Sequence, residues 1–112
     1  MREKDLQIGV LLDFYGDILP ERKRLVLDLY YNNDYSLSEI SEEIGITRQG
    51  VLDTIKKASD SLLFYEEKLG LYEKFQAVES ALARLETLMA TDEDIPERIK
   101  EDIRLITKDI AF

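Results

Sequence analysis

Ser36 to Lys57, SLSEISEEIGITRQGVLDTIKK, constrains this chain more than any other stretch. Ser36 with Glu39 three residues later is a capping box, in which each side chain satisfies a backbone N–H at a helix start. The helix it opens would bury Leu37, Ile40 and Ile44. Gly45 is placed to close it, because a left-handed residue after a helix is tolerated best without a Cβ. Ile46 would plug the turn and Thr47 would cap the next helix. That helix carries Val51, Ile55, Ala58, Leu62, Tyr65 and Leu69 at steps of 4, 3, 4, 3 and 4, a continuous apolar seam. Lys68 and Gly70 mark its end. A helix, a glycine-containing turn and a second helix form a helix-turn-helix.

The remaining segments read as helices too. Lys4 to Tyr15 places Leu6, Ile8, Leu11, Leu12, Phe14 and Tyr15 in a wide apolar stripe, with Asp5 and Asp13 turned away. Gly9 within it suggests a close helix contact, and Gly16 ends it. Leu19-Pro20-Glu21 opens a second helix, with proline tolerated in the first turn and a carboxylate favourable there. Its expected apolar face is Leu25, Val26, Leu29 and Tyr30, and Asn32-Asn33-Asp34 is a turn. Beyond Gly70 the seam restarts as Leu71, Phe75, Val78, Leu82, Leu85 and Met89. The slip of two residues turns the face by about 200°, which favours a helix break at Gly70. After Thr91-Asp92-Glu93-Asp94, Pro96 opens a last helix with Ile99, Ile103, Ile106 and Ile110 on one face. The expectation is an all-α bundle: a helix-turn-helix domain over residues 1–70 and a helical extension over 71–112. The extension either packs within the chain or forms a two-fold homodimer.

Composition narrows the function. The chain has no cysteine and no histidine, which removes the usual zinc, iron–sulfur and thiol chemistry and the commonest general base. No glycine-rich phosphate loop and no nucleophile beside a base is present, so neither an enzyme nor a cofactor or metal site is expected. The apolar segment near the start is too short and too soon charged for a signal peptide or a membrane span. A soluble cytoplasmic protein is expected.

Charge bears on the partner. The net charge is −9, and residues 1–19, 20–70 and 71–112 hold 2, 7 and 6 basic against 4, 10 and 10 acidic residues. No segment is net basic, so any phosphate contact must come from local clusters. Placing Val51, Ile55 and Ala58 inward turns Gln49, Asp53, Lys56 and Asp60 outward, with Arg48 and Lys57 flanking. The second helix of such a motif offers its N-terminal residues to base edges. Gln49 can pair with adenine and Arg48 with guanine or phosphate. Thr47, Lys56 and Lys57, and Arg22, Lys23 and Arg24 if the second helix lies alongside, are candidate phosphate contacts. Asp53 and Asp60 oppose binding.

Leu19-Pro20-Glu21-Arg22, Leu37-Ser38-Glu39-Ile40, Gly45-Ile46-Thr47 and Val51 resemble the last DNA-binding domain of bacterial sigma factors. Three longer blocks, LLDFYGDIL at 11–19, LYYNNDYSLSEISEEIGITRQGV at 29–51 and YEEKLGL at 65–71, are similar to the YlxM family of helix-turn-helix proteins associated with the bacterial signal recognition particle. The resemblance spans roughly residues 6 to 75. It implies a sigma-like helical fold and a regulatory role in that pathway, with the particle's GTPase or its receptor as partners. Gly50 stands where this pattern more often has alanine. Two functions follow as expectations. One is a regulator binding DNA or RNA weakly or with assistance; the other is a protein or ribonucleoprotein adaptor whose acidic surface suits a basic partner.

Overall fold

The computed structural model describes residues 4–110. Six α-helices are present among them: α1 Leu6–Tyr15, α2 Glu21–Leu27, α3 Leu37–Ile44, α4 Arg48–Leu69, α5 Leu71–Thr91 and α6 Glu97–Ile110. A 3₁₀ turn, Gly16–Ile18, joins α1 to α2, and α2 runs on into a widened π turn, Asp28–Asn32. Two compact units follow each other along the chain, Met1–Tyr72 and Glu73–Phe112.

In the first unit α4 is the central strut, and α1, α2 and α3 each pack against it. Its seam is buried at Val51, Ile55, Ala58 and Leu62. Ile8, Leu11, Leu12 and Tyr15 of α1, Val26 and Leu27 of α2, and Ile40 of α3 complete one continuous core. Burying seven large side chains almost completely, Tyr15 among them, removes enough apolar surface to fix on α4 three short helices that would each be marginal alone.

Several expectations shift by one residue or one turn. Leu6 is 83% exposed, because α1 begins there and Asp5 is its N-cap, accepting the Gln7 N–H at 2.9 Å. Leu25, expected inside, is 47% exposed, and Leu27 is buried in its place. Val26 and Leu29 are buried as expected, so the core-facing side of α2 runs over Val26 and Leu27. The π turn beyond it, with the Asn33 N–H bonded back to the Asp28 carbonyl, changes the phase that regular spacing assumes. Leu69 closes the expected seam yet is 51% exposed. The cover supplied by α1 stops at Tyr15, whose ring lies 6.0 Å from Tyr65, one turn short of Leu69.

The break at Gly70 is explicit. Gly70 adopts φ 62°, ψ 27°, and its N–H closes α4 on the Glu66 carbonyl at 2.8 Å. Two orphan amides at the start of α5 are then satisfied from elsewhere in the chain. The buried Tyr15 hydroxyl donates to Glu66 Oε1 at 2.6 Å and accepts the Leu71 N–H at 3.0 Å; the same Glu66 oxygen accepts the Tyr72 N–H at 3.0 Å. A remote tyrosine and a carboxylate thus do the work of an N-cap. At the other end of α1, Lys4 donates to Asp34 Oδ1 at 2.8 Å and to the Tyr30 carbonyl, tying the chain's start to the π turn.

In the second unit only Met89 of the expected α5 seam is buried, at 5% exposure. Phe75, Val78, Leu82 and Leu85 are half-buried, and α6 has no buried residue.

Tyr15→Phe keeps the ring but removes both hydroxyl hydrogen bonds. The expected cost is about 1–3 kcal/mol, seen as a lower urea midpoint with unchanged m-value. Burial first, then the hydrogen bond its hydroxyl donates to Glu66, raises the Tyr15 pKa above its ordinary value of 10.0. Its contribution is therefore whole below pH 10.0 and is lost as pH rises through the folded-state value, because the unfolded chain releases the proton first. A stability profile above that pH should fall less steeply in Tyr15→Phe than in the wild type.

Candidate nucleic-acid interface

The α3–turn–α4 geometry rests on four local interactions. Ser36 Oγ accepts the Glu39 N–H at 3.1 Å and the Glu39 carboxylate accepts the Ser36 N–H at 3.0 Å, closing the capping box. Gly45 has φ 81°, a conformation that costs a side-chain-bearing residue roughly 1–2 kcal/mol. Ser41 donates its hydroxyl to the Ile46 carbonyl, stitching the turn back onto α3. Thr47 Oγ1 accepts the Gly50 N–H at 3.0 Å and starts α4. A Cβ at Gly50 would lie 3.1 Å from that same oxygen, so the cap and the bare first turn fit together.

These interactions present the outer face of α4. Arg48, Gln49, Asp53, Lys56, Lys57 and Asp60 are all exposed, with Gln49, Asp53, Lys56 and Asp60 on the side opposite Val51, Ile55 and Ala58 and Arg48 and Lys57 flanking them. They are not equivalent. Lys57 Nζ lies 3.0 Å from Asp53 Oδ2, so one of the two adjacent lysines is matched by a carboxylate one turn earlier. Arg48, Gln49 and Lys56 engage no side-chain partner among the described residues. Thr47 uses its hydroxyl oxygen in the cap, which leaves the O–H free to donate outward.

The basic run on α2 is placed differently. Arg24 is held by Asp17 at 2.9 Å and by Asp28 at 3.9 Å. Arg22 lines a cleft of about 540 Å³ with Glu21, Leu25, Leu29, Glu43 and Ile44. It sits beside the carboxylates of α3. Lys23 is half-buried. The structure therefore exposes Thr47, Arg48, Gln49, Lys56 and Lys57 along the leading half of α4 and sets Arg22 and Arg24 among acidic neighbours.

Three features were not anticipated from the sequence. The Tyr15–Glu66 node joins residues 51 apart, and nothing in the local pattern of either announces it. Ser41 is one polar residue among many on α3; its only signal is a position five residues before the turn carbonyl. Glu42 and Glu43, next to each other, form acidic walls on α3, and a second cleft of about 280 Å³ is lined by Tyr35, Glu39, Glu42 and Glu43. In a helix-turn-helix the first helix crosses the phosphate backbone, and here that element is acidic.

Fold and surface together define a helix-turn-helix protein. Residues 2–102 match the UPF0122 family, described as "Putative helix-turn-helix protein, YlxM / p13 like", and the chain belongs to that family. A UPF0122 protein of Thermoanaerobacter sp. (strain X514) is 43% identical over 112 residues, covering 99% of this chain and 93% of its own. Another, from Caldanaerobacter subterraneus subsp. tengcongensis, is 48% identical over 85 residues, 76% of this chain and 73% of its own. One from Bacillus cereus (strain AH187) is 40% identical over 108 residues, 96% and 98% respectively. Among the described residues no helix is long and apolar enough to cross a membrane.

Two substitutions test this surface. Asp53→Asn removes the carboxylate from Lys57, and the expected result is nucleic-acid affinity raised about 3- to 10-fold with a salt slope steeper by up to about one unit, measured by fluorescence anisotropy. Gly45→Ala should cost roughly 1–2 kcal/mol by thermal denaturation, with Gly45→Asn costing less because asparagine tolerates the left-handed region.

Proposed function

We propose that this protein is a regulatory helix-turn-helix protein of the cytoplasm that binds nucleic acid weakly or with assistance, and that it works alongside the bacterial signal recognition particle. The observation that carries the nucleic-acid part is the exposed trio Arg48, Gln49 and Lys56 at the leading half of α4, with no side-chain partner among the described residues. Gln49 and Arg48 are the residue types that read adenine and guanine edges in the major groove, and Lys56 suits a phosphate. Assistance is part of the reading because α4 as a whole balances four basic against four acidic residues and the chain carries −9. Each carboxylate near the duplex subtracts from the counterion release that drives non-specific binding. The link to the particle rests on family resemblance.

A second reading has its own observation. The cleft lined by Tyr35, Glu39, Glu42 and Glu43 suits a basic protein or ribonucleoprotein partner better than phosphate. In that case the motif serves as a scaffold, and the particle's GTPase or its receptor is the partner.

One titration series separates the two. Binding to DNA from the chain's own operon and to reconstituted particle is measured at two salt concentrations for wild type and for the Arg48→Ala/Lys56→Ala double variant. The first reading expects the double variant to lose about tenfold or more in DNA affinity and its salt slope to drop by about two. A double variant that matches wild type on DNA while both bind the particle supports the adaptor. Wild type that binds neither target would sink both.

A further inference from the structure

The second unit holds an apolar surface larger than its own two helices can cover. On α5 the seam Phe75, Val78, Leu82 and Leu85 is only half-buried, although α6 follows after a short loop, residues 92–96. On α6 the stripe Ile99, Ile103, Ile106 and Ile110 repeats at steps of 4, 3 and 4, and three of its isoleucines are 40%, 58% and 47% exposed. Helices of this kind bury their stripe only when a second layer lies against it. A helix of 14 residues with no buried side chain would also be marginal by itself.

Charge identifies the second layer. Helices α5 and α6 together carry six basic and seven acidic side chains, interspersed, so they are almost neutral. The surplus negative charge of the second unit sits in the connecting loop, at Asp92, Glu93 and Asp94. Residues 1–70 hold nine basic and fourteen acidic side chains. In a chain of net charge −9, these two helices are the part that can meet a copy of itself with least repulsion. Mixed signs along both stripes also allow opposite charges to face each other across a two-fold axis, where each surface must be its own complement.

We propose that α5 and α6 form the homodimer interface of this protein, with Phe75, Val78, Leu82 and Leu85 of one protomer meeting their counterparts and the Ile99–Ile110 stripe of the partner in a four-helix arrangement. The association stands apart from nucleic-acid binding. It deepens the functional reading only in its consequence, since two protomers offer two α4 faces and supply from within the assistance that one weakly charged recognition helix lacks.

Sedimentation equilibrium on the full chain between about 1 and 100 µM, a range bracketing micromolar affinity, tests the proposal. The expected mass is twice the 13.0 kDa of one chain. Leu82→Glu and Ile106→Glu are each expected to return it to that of a single chain, with helical circular dichroism retained. As a control on folding, the melting temperature of wild type should rise with concentration and that of the variants should not. Should a variant unfold, the concentration dependence of wild type decides. A single-chain mass for wild type at the highest concentration overturns the proposal, and so does a dimer that survives both substitutions, which would place the interface elsewhere. A wild-type dimer that binds no nucleic acid would leave this inference standing while removing the reading above.

Discussion

The first unit depends on the buried stripe of α4. Val51, Ile55, Ala58 and Leu62 give α1, α2 and α3 a common surface, and all three pack against α4. Ala58 matters for its size. It is fully buried midway along α4, where a larger side chain would hold the neighbouring helices off. Because the stripe starts at Val51, one turn into the helix, the first residues of α4 are free of core duty. Arg48 and Gln49 are exposed for that reason. Exposure and core packing are thus divided along one helix, the leading turn facing outward and the middle holding the bundle.

The two ends of α4 are set by different means. At its start every device is local: the capping box on α3, Gly45 in the left-handed region, Ser41 on the Ile46 carbonyl and the Thr47 cap all lie within a dozen residues. At its end Gly70 stops the helix, but the amides beyond it are satisfied by Tyr15 and Glu66, which meet only in the folded bundle. Local devices make the turn geometry independent of the rest of the chain. The long-range node makes the start of α5 conditional on α1 being docked. Disturbing α1 would therefore be felt at residue 71 while leaving the helix-turn-helix turn intact.

Electrostatics gives the outer face its mixed character. Asp53 matches Lys57, Asp17 and Asp28 hold Arg24, and Arg22 lines a cleft that Glu21 and Glu43 also line. What remains for a polyanion is a small patch at one end of one helix. Exposed ion pairs of this sort are worth little to stability, so their effect falls mainly on what the surface can attract. An acidic α3 beside that patch further limits how a duplex can lie.

The sequence by itself determined the helices, the turn and the caps, because these depend on spacing and on side chains a few residues away. Ser36, Glu39, Gly45, Thr47 and Gly70 act as their types and positions imply. It also determined which side of α4 faces out, since a 4-3-4 seam leaves only one arrangement. Tertiary structure alone decided the rest. Regular helical spacing cannot foresee a π turn, so Leu25 and Leu27 exchange places. Periodicity gives the face of a residue but not the reach of its neighbour, so Leu6 and Leu69 are left outside where α1 begins and ends. Pairings such as Lys57 with Asp53 could be suspected from an i, i+4 spacing, whereas Arg24 with Asp17, and Tyr15 with Glu66 and the start of α5, required the chain to fold back. Contacts between residues far apart in sequence depend on how elements pack, and a one-dimensional pattern carries no record of that.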